Sequence, residues 1–238
     1  MKNPQSNPES KRFVAVQAAQ LIQDGMVAGM GTGSTIAFAI EELARRMREE
    51  GIKFVSVPTS FQSRILCMNL GIPVRDMQDT ACLDLAIDGA DEVDTELNLI
   101  KGAGASHTRE KIVAAMAKEF VVVVDESKLV ARLGSTFAIP IEVLPSARSY
   151  VERAIRDLGG DPVLRIGARK DGPVVTDNGE LIFDARFATT ADLRAVDQAL
   201  HHIPGVIETG LFFDMTGKVL VGCGRPDSLT LRTLTRTS

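Results

Sequence analysis

Up to about residue 133 the chain alternates between short apolar runs and longer segments in which apolar residues recur at helical spacing. The apolar runs, which predict strands, lie at 26–30, 54–57, 83–87 and 120–124. The helical pattern predicts helices at 11–22, 36–50, 60–70 and 108–118. The run at 120–124 is apolar without alternation, as expected of a central strand covered on both faces. This order of elements predicts a doubly wound α/β domain with a mostly parallel sheet.

The pattern changes after Leu133. The following segments predict, in order, a strand at 138–143, a helix at 150–158, short strands as far as residue 183 and a helix at 191–201. This order is typical of a second, smaller α+β domain with an antiparallel sheet. The last predicted strands, at 206–213 and 219–221, can close the small sheet or return to the first domain. We predict an α/β domain over 1–133 plus 206–238 and a small α+β domain over 134–205.

Composition and charge exclude several classes of protein. Of 238 residues, 45% are apolar and 24% charged, and the formal net charge is −4 without a basic cluster, so we expect no nucleic-acid partner. We also expect no membrane partner, because no window approaches roughly 18 unbroken apolar residues and the first ten residues are polar. The three cysteines, Cys67, Cys82 and Cys223, lack the paired spacing of a zinc site or a redox motif. Their odd number, without a secretory signal, favours a reducing compartment and a cytoplasmic location.

The first segment with candidate chemistry is Gly31-Thr32-Gly33-Ser34-Thr35, which follows a predicted strand and opens a helix. Backbone N–H groups and hydroxyls there can face an anion such as a phosphate. The alternative is a glycine-rich turn in which Ser or Thr caps the helix. Ser34 stands where a dinucleotide fingerprint needs glycine, and no lysine follows as in a P-loop. The loop therefore favours a small phosphorylated metabolite over NAD or ATP.

The second segment is Asp88-Gly89-Ala90-Asp91, which leaves a strand predicted to be buried. Its two carboxylates can accept hydrogen bonds from sugar hydroxyls, or they can serve only as turn and cap residues. Glu92 and Asp94 add acidity nearby, but the segment has neither a histidine partner nor calcium-loop spacing. We therefore predict no metal site.

The third segment is Lys101-Gly102-Ala103-Gly104, with Glu110 at the start of the next helix. A cation, a flexible backbone and an acid lie together here. Lys101 can instead be a solvated side chain, and Glu110 can instead be a favourable charge in a first helical turn, worth about 0.3 to 1 kcal/mol. Lys128 follows the central strand and can meet an anion or solvate its loop. Since ligands bind where parallel strands end, we expect all these segments at one edge of the sheet.

Taken together, these segments resemble one known family. The motifs are Thr32-Gly33-Ser34-Thr35, Asp88-Gly89-Ala90-Asp91-Glu92, Ile100-Lys101-Gly102-Ala103-Gly104, Thr108-Arg109-Glu110-Lys111 and Asp125-Glu126-Ser127-Lys128. In this order they resemble ribose-5-phosphate isomerase, type A. The resemblance continues through Pro140-Ile141-Glu142-Val143, the residues 175–179, and Pro204-Gly205-Val206.

The resemblance implies an aldose-ketose isomerase of the non-oxidative pentose phosphate pathway, which interconverts D-ribose 5-phosphate and D-ribulose 5-phosphate through an enediol. It implies no cofactor and no metal, and a homo-oligomer, with a dimer favoured. Glu110 is implied to be the proton acceptor, and Lys11 resembles a family lysine that helps to hold the phosphate. The residues implied to bind substrate are Thr32, Gly33, Ser34, Thr35, Asp88, Gly89, Ala90, Asp91, Lys101, Gly102, Ala103, Gly104 and Lys128.

The chain departs from the family pattern at two places. Ala103 stands where the family usually has glycine, which bears on the geometry of the loop because alanine tolerates a positive φ poorly. Ser106-His107 replaces a more apolar pair and can tune the substrate pocket. Two other functions stay open: a non-catalytic sugar-phosphate sensor, which we expect to need a helix-turn-helix that the polar start does not provide, and a deaminase or isomerase for sugar phosphates of other chain lengths.

Overall fold

The computed structural model describes residues 8–168 and 171–236, which form two compact units. Of the described residues, the first unit comprises 8–90, 109–129 and 214–236, and the second comprises 91–108, 130–168 and 171–213. Compactness is a different property from independent folding. The predicted domains at 1–133 plus 206–238 and at 134–205 therefore stay a prediction.

The described residues form six α-helices and thirteen strands. The helices are α1 Pro8–Ala19, α2 Ser34–Glu49, α3 Phe61–Asn69, α4 His107–Met116, α5 Arg148–Asp157 and α6 Leu193–His201. The strands are β1 Val27–Met30, β2 Val55–Pro58, β3 Leu85–Asp88, β4 Glu92–Val93, β5 Leu99–Ile100, β6 Phe120–Asp125, β7 Ile139–Val143, β8 Asp161–Leu164, β9 Leu181–Arg186, β10 Val206–Thr209, β11 Leu211–Phe212, β12 Lys218–Cys223 and β13 Thr230–Thr235. Among these helices none combines the length and the apolar character that crossing a membrane requires.

The first unit is built on a six-stranded sheet in the order β13-β12-β6-β3-β1-β2. All neighbours are parallel except β13, which pairs antiparallel with β12 at the edge. Because β2 lies on one side of β1 and β3 on the other, the chain winds in opposite directions from β1. Such a reversal opens a crevice at the carboxyl ends of the two strands. The predicted doubly wound, mostly parallel sheet is confirmed.

Helices cover both faces of this sheet. On one face α1 and α2 pack on the strands through a core that includes Val14, Ile40 and Ile87. On the other face α4 approaches so closely that a Cβ on Gly29 would lie 2.4 Å from Cγ1 of Val113. All six residues of β6 are buried, as the unbroken apolar run predicts.

The second unit contains a four-stranded antiparallel sheet in the order β10-β7-β9-β8 and a three-stranded sheet in the order β11-β5-β4. Its core joins the larger sheet to α5 and α6 through residues such as Ile141, Val151, Phe183 and Leu200. The predicted second α+β unit with an antiparallel sheet is therefore confirmed.

The predicted strand at 206–213 is instead two strands, β10 and β11, which belong to different sheets. They meet at Gly210, whose N–H donates to the carbonyl of Pro140 at 2.7 Å and whose carbonyl accepts from the N–H of Lys101 at 2.9 Å. A Cβ on Gly210 would lie 2.2 Å from the carbonyl oxygen of Lys101, so only glycine fits at this crossing.

Glu92 is completely buried and holds a loop of the second unit. Its carboxylate accepts hydrogen bonds from the N–H groups of Gly134, Thr136 and Phe137 at 2.6 to 2.7 Å and from the hydroxyl of Thr136 at 2.6 Å. Four donors satisfy the buried charge and fix the loop that leads into β7.

We therefore expect Glu92→Ala to lower the free energy of unfolding by about 3 kcal/mol or more, because the truncation leaves several buried donors without an acceptor. Urea unfolding followed by circular dichroism measures the change. The matched control is Glu41→Ala, which removes an exposed carboxylate 3.4 Å from Arg12 and should cost less than about 1 kcal/mol. Equal losses for the two variants would show that the Glu92 hydrogen bonds contribute little.

Candidate active site

Asp88 ends β3 at the point where the sheet reverses direction, and only 3% of it is exposed. Its Oδ1 accepts hydrogen bonds from the N–H groups of Thr32 at 3.1 Å and of Gly89 at 2.7 Å. A Cβ on Gly31 would lie 2.0 Å from the same oxygen. The carboxylate thus fixes the loop after β1, and a side chain at Gly31 would push the two strand ends apart.

The loop Thr32 to Thr35 presents the start of α2 without a capping side chain. The N-cap residue is Gly33, with φ +102°, which has no side chain that could cap the helix. The alternative in which Ser or Thr caps the helix is therefore wrong. The N–H groups of the first turn point outward from a 16-residue helix, an arrangement that favours anions.

Two hydroxyls that sequence reasoning missed join this loop. Oγ1 of Thr32 lies 2.8 Å from Oγ1 of Thr59 and 2.8 Å from Oγ of Ser60. In addition, Oε1 of Gln62 accepts from the N–H of Gly33 at 3.1 Å. The available signal was position, because Thr59 and Ser60 directly follow β2, the parallel neighbour of β1. Such residues meet the loop of the adjacent strand at the same edge of the sheet.

Glu110 lies in the first turn of α4 and is 5% exposed. At the other end of this helix, the carbonyl of Met116 accepts from the N–H of Leu83, two residues before β3 begins. The helix therefore runs antiparallel to β3, and its first turn points toward the edge of the sheet where β3 ends. That is the edge that carries Asp88.

Lys128 is half-buried and lies in a short helical turn directly after β6. The carboxylate of Asp125 accepts from the N–H of Ser127 at 3.0 Å, and Oε2 of Glu126 accepts from the N–H of Gly224 at 3.0 Å. These bonds fix the turn at the end of β6. The first unit thus carries Thr32 to Thr35, Asp88 to Ala90, Glu110 and Lys128 at the edge where its parallel strands end.

The second unit carries the other predicted residues, Asp91 and the loop Lys101 to Gly104. Lys101 is 3% exposed, and its Nζ lies 5.6 Å from the ring centroid of Phe212, within cation–π range. Oδ2 of Asp91 accepts from the N–H of Ala103 at 2.9 Å. Asp91 is half-buried, whereas Ala103 and Gly104 are exposed. Asp91 and the loop are therefore brought together by a direct hydrogen bond.

The departure at Ala103 does not strain the loop. Among the described non-glycine residues, a positive φ occurs at Leu97, Ala105 and Asp214. The left-handed positions of the loop are Gly102, at φ +113°, and Ala105, at φ +59°, whose N–H donates to the carbonyl of Gly102 at 3.0 Å. Alanine is therefore compatible with the backbone at 103, and the strained residue is two positions later.

His107 is fully buried, and its ring lies next to Gly102 of the loop Lys101 to Gly104. Its Nε2 lies 3.3 Å from the carbonyl oxygen of Glu208, within hydrogen-bonding distance. A Cβ on Gly102 would lie 2.8 Å from Nδ1 of this ring. The imidazole thus occupies the space that a side chain at 102 would need, and the glycine and the histidine depend on each other.

Glu142 links three of the sequence motifs through one buried carboxylate. It is 1% exposed and accepts from the hydroxyl of Thr108, from Oγ1 of Thr176 at 2.6 Å and from Nδ2 of Asn178 at 3.1 Å. Thr108 lies two residues before Glu110 in α4. The motifs at 140–143 and 175–179 therefore support the start of the helix that carries Glu110.

The acidic residues after Asp91 also serve the fold. Oδ1 of Asp94 accepts from the N–H groups of Glu96 at 2.9 Å and of Asn98 at 2.8 Å, which is an ordinary Asx turn. In the part of the chain that the structure describes, no three His, Cys, Asp or Glu side chains are grouped so that they could hold a metal ion.

Comparison with known proteins places these residues in a family. The sequence profile described as ribose 5-phosphate isomerase A (phosphoriboisomerase A) matches residues 55–225. Ribose-5-phosphate isomerase A of Thermosynechococcus vestitus is 54% identical over 215 residues, which are 90% of this chain and 91% of that protein. The protein of the same name from Methanocaldococcus jannaschii is 50% identical over 218 residues, covering 91% of this chain and 95% of the other.

Solved structures agree. Ribose 5-phosphate isomerase A from Methanocaldococcus jannaschii superposes with a TM-score of 0.90 and 48% identity, covering 97% of this chain and all of that one. A D-ribose-5-phosphate isomerase in complex with phospho-erythronic acid superposes with a TM-score of 0.91 and 41% identity, again over 97% of this chain and all of the other. The sequence match extends over most of the chain and the structural match over nearly all of it, and this chain belongs to the ribose 5-phosphate isomerase A family.

Proposed function

We propose that this protein interconverts D-ribose 5-phosphate and D-ribulose 5-phosphate through an enediol, with Glu110 as the base. The observation that carries the proposal is a buried carboxylate in the first turn of α4, in a chain of this family. The relative solved with phospho-erythronic acid adds support. That ligand combines a phosphate with a planar, negatively charged carboxylate, and so matches the charge of an enediolate of a pentose phosphate.

Glu110 removes the proton from C2 of the open-chain aldose, and negative charge develops on O1. The acidity of a carbon beside a carbonyl depends on stabilising that oxygen, a task suited to Lys101 and the N–H groups of Gly102 and Gly104, since the N–H of Ala103 already donates to Asp91. The proton on O2 moves to O1, and Glu110 returns its own proton to C1. One hydrogen moves between neighbouring carbons and no electrons leave the substrate, so the reaction needs no redox cofactor.

The phosphate binds at Thr32, Gly33, Ser34 and Thr35. The uncapped start of α2 supports this, because a dianion gains both hydrogen bonds from the first-turn N–H groups and attraction from the helix dipole. Lys128 adds a positive charge after β6, and Lys11 is a further candidate.

The hydroxyls of the sugar bind to the turn Asp88, Gly89, Ala90 and Asp91. Each of the two carboxylates already accepts a backbone N–H, from Thr32 for Asp88 and from Ala103 for Asp91. A carboxylate offers about four acceptor positions, so each can hold its loop and accept from a substrate hydroxyl at the same time. One of the two assists ring opening.

Glu110→Gln keeps the shape of the side chain and removes the base, so we expect kcat to fall by about 10²- to 10⁴-fold while substrate still binds. Steady-state assay of ribulose 5-phosphate formation measures the change. The control is Glu119→Gln, which changes a carboxylate that pairs with Lys218 and should leave kcat unaltered. Near-normal turnover by Glu110→Gln would remove Glu110 from the mechanism.

Substrate comparison separates this function from its rivals. We expect turnover of ribose 5-phosphate to exceed that of six-carbon sugar phosphates, and unphosphorylated ribose to react at least about 10²-fold more slowly, because it cannot use the binding energy of the phosphate. A preferred six-carbon substrate would indicate an isomerase for a different chain length. Ammonia release from an amino-sugar phosphate would indicate a deaminase, and tight binding without turnover would indicate a sensor.

We infer that the chain forms a homodimer and acts in the cytoplasm, without nucleic-acid or membrane partners. One face of α3 supports association, since Phe61, Ile65 and Met68 follow helical spacing and are 52%, 56% and 60% exposed. A reducing location is supported by the odd number of cysteines, Cys67, Cys82 and Cys223.

Sedimentation should therefore give twice the mass of one chain, and Ile65→Glu should shift the protein toward the monomer, because a charge on the apolar face opposes its burial. Gln78→Glu, at an exposed position that lies outside α3, is the control and should leave the mass unchanged. A monomeric unmodified protein would contradict the homodimer, and an unaltered mass for Ile65→Glu would place the interface elsewhere.

A further inference from the structure

Arg165 connects the four-stranded sheet of the second unit to the loop Lys101 to Gly104. Its backbone is fixed on β9, because its N–H donates to the carbonyl of Ile182 at 2.8 Å. Its side chain is 14% exposed and donates hydrogen bonds to both carboxylate oxygens of Asp184 on β9. Nε lies 2.8 Å from Oδ2, and Nη2 donates to Oδ1. Two parallel bonds of this kind hold a guanidinium in one plane and one orientation.

The third guanidinium nitrogen of Arg165, Nη1, points at the loop Lys101 to Gly104. Nη1 donates to the carbonyl oxygen of Gly102 at 2.7 Å and lies 3.3 Å from the carbonyl oxygen of Ala103. The carbonyl of Gly102 also accepts from the N–H of Ala105 at 3.0 Å, so both lone pairs of that oxygen have donors.

The peptide group between Gly102 and Ala103 is planar, and its carbonyl and N–H point in opposite directions. Arg165 holds the carbonyl end, and the N–H end donates to Oδ2 of Asp91 at 2.9 Å. Rotation of this peptide would break both contacts. Glycine at 102 makes such rotation accessible, because φ values of either sign cost glycine little. An external clamp is therefore what keeps the N–H aimed at Asp91.

We propose that Arg165 is a positioning residue for the isomerase site: by fixing the Gly102–Ala103 peptide it orients the Asp91 carboxylate toward the substrate. The inference rests on the proposed function for the role of Asp91, but the clamp itself is a feature of the second unit alone. Lysine cannot replace arginine here, since one ammonium cannot grip both oxygens of Asp184 and also reach the loop carbonyl.

The test is Arg165→Ala, assayed with ribose 5-phosphate with and without added guanidinium ion at low, non-denaturing concentration. We expect kcat/KM to fall about 10- to 100-fold, the size of effect that a small displacement of a binding group produces. Guanidinium should restore part of the loss by occupying the vacated fork. Arg165→Lys should not recover activity. Arg186→Ala removes an exposed arginine from the same sheet and is the control, with unaltered kinetics and no response to guanidinium.

A spectroscopic readout follows the peptide itself. In ¹H–¹⁵N spectra the Ala103 amide should move upfield and exchange faster in Arg165→Ala, because it loses its hydrogen bond to Asp91, and guanidinium should reverse the shift. An unchanged Ala103 signal in Arg165→Ala overturns the proposal. A folded Arg165→Ala variant whose lost activity guanidinium does not restore overturns it as well. If Arg165→Ala fails to fold, Asp184→Asn decides: it loosens the fork, and the Ala103 signal must move.

The unmodified protein separates this inference from the proposed function. If it does not turn over ribose 5-phosphate, the proposed function fails, whereas the Ala103 signal still reports whether Arg165 holds the peptide. If it is active and the Ala103 signal is insensitive to Arg165, only the positioning role fails.

Discussion

The contact between Asp88 and Gly31 is the constraint on which the first unit's share of the site depends. Gly31 directly follows β1, and Asp88 ends β3. These two strands are parallel neighbours at the point where the sheet reverses direction. A Cβ at 31 would fall on the carboxylate, so the absence of a side chain lets Asp88 reach the N–H of Thr32. That bond sets the direction in which the chain enters α2, and with it the direction of the first-turn N–H groups. The phosphate site we propose is a consequence of this close approach.

In the second unit the loop Lys101 to Gly104 is irregular and is not held by the regular hydrogen bonds of a sheet. The unit instead uses buried or nearly buried charges that each serve several partners. Glu142 accepts from three side chains, and Arg165 joins Asp184 to the carbonyl of Gly102. Burying a charged side chain costs free energy unless every hydrogen-bond partner is in place. When all the partners are present, the charged side chain favours a single conformation of the loop. The loop can then be rich in glycine and still adopt a single conformation.

Much of this architecture could be predicted from the sequence, because strand and helix periodicities are local signals. The apolar run of β6 and the glycine turn before α2 are examples. The edge strand β13 gave no such signal, since most of its residues are exposed and no buried face imposes alternation. The break at Gly210 was also invisible, because it exists only where the backbone passes Lys101 and Pro140, residues distant in sequence.

The same distinction applies to the candidate site. Asp88, Lys101 and Glu110 stand in motifs and could be selected from the sequence. Arg165 and Glu142 act through contacts between residues 19 to 63 positions apart, which depend on how β7, β8 and β9 pair. Thr59 and Ser60 required the knowledge that β2 neighbours β1. Sequence reasoning identified groups that can do chemistry, whereas tertiary pairing determines which groups hold them.

In the proposed mechanism a proton, not a hydride, moves between C2 and C1. The most direct test is to run the isomerisation of ribose 5-phosphate in D₂O and to measure deuterium at C1 of the ribulose 5-phosphate formed, by NMR on product trapped before it can revert. Transfer through a carboxyl group that can exchange with solvent predicts deuterium in a measurable fraction of the first-turnover product. Product that carries only the original hydrogen, with none from solvent, would indicate a direct hydride shift and would contradict the enediol mechanism.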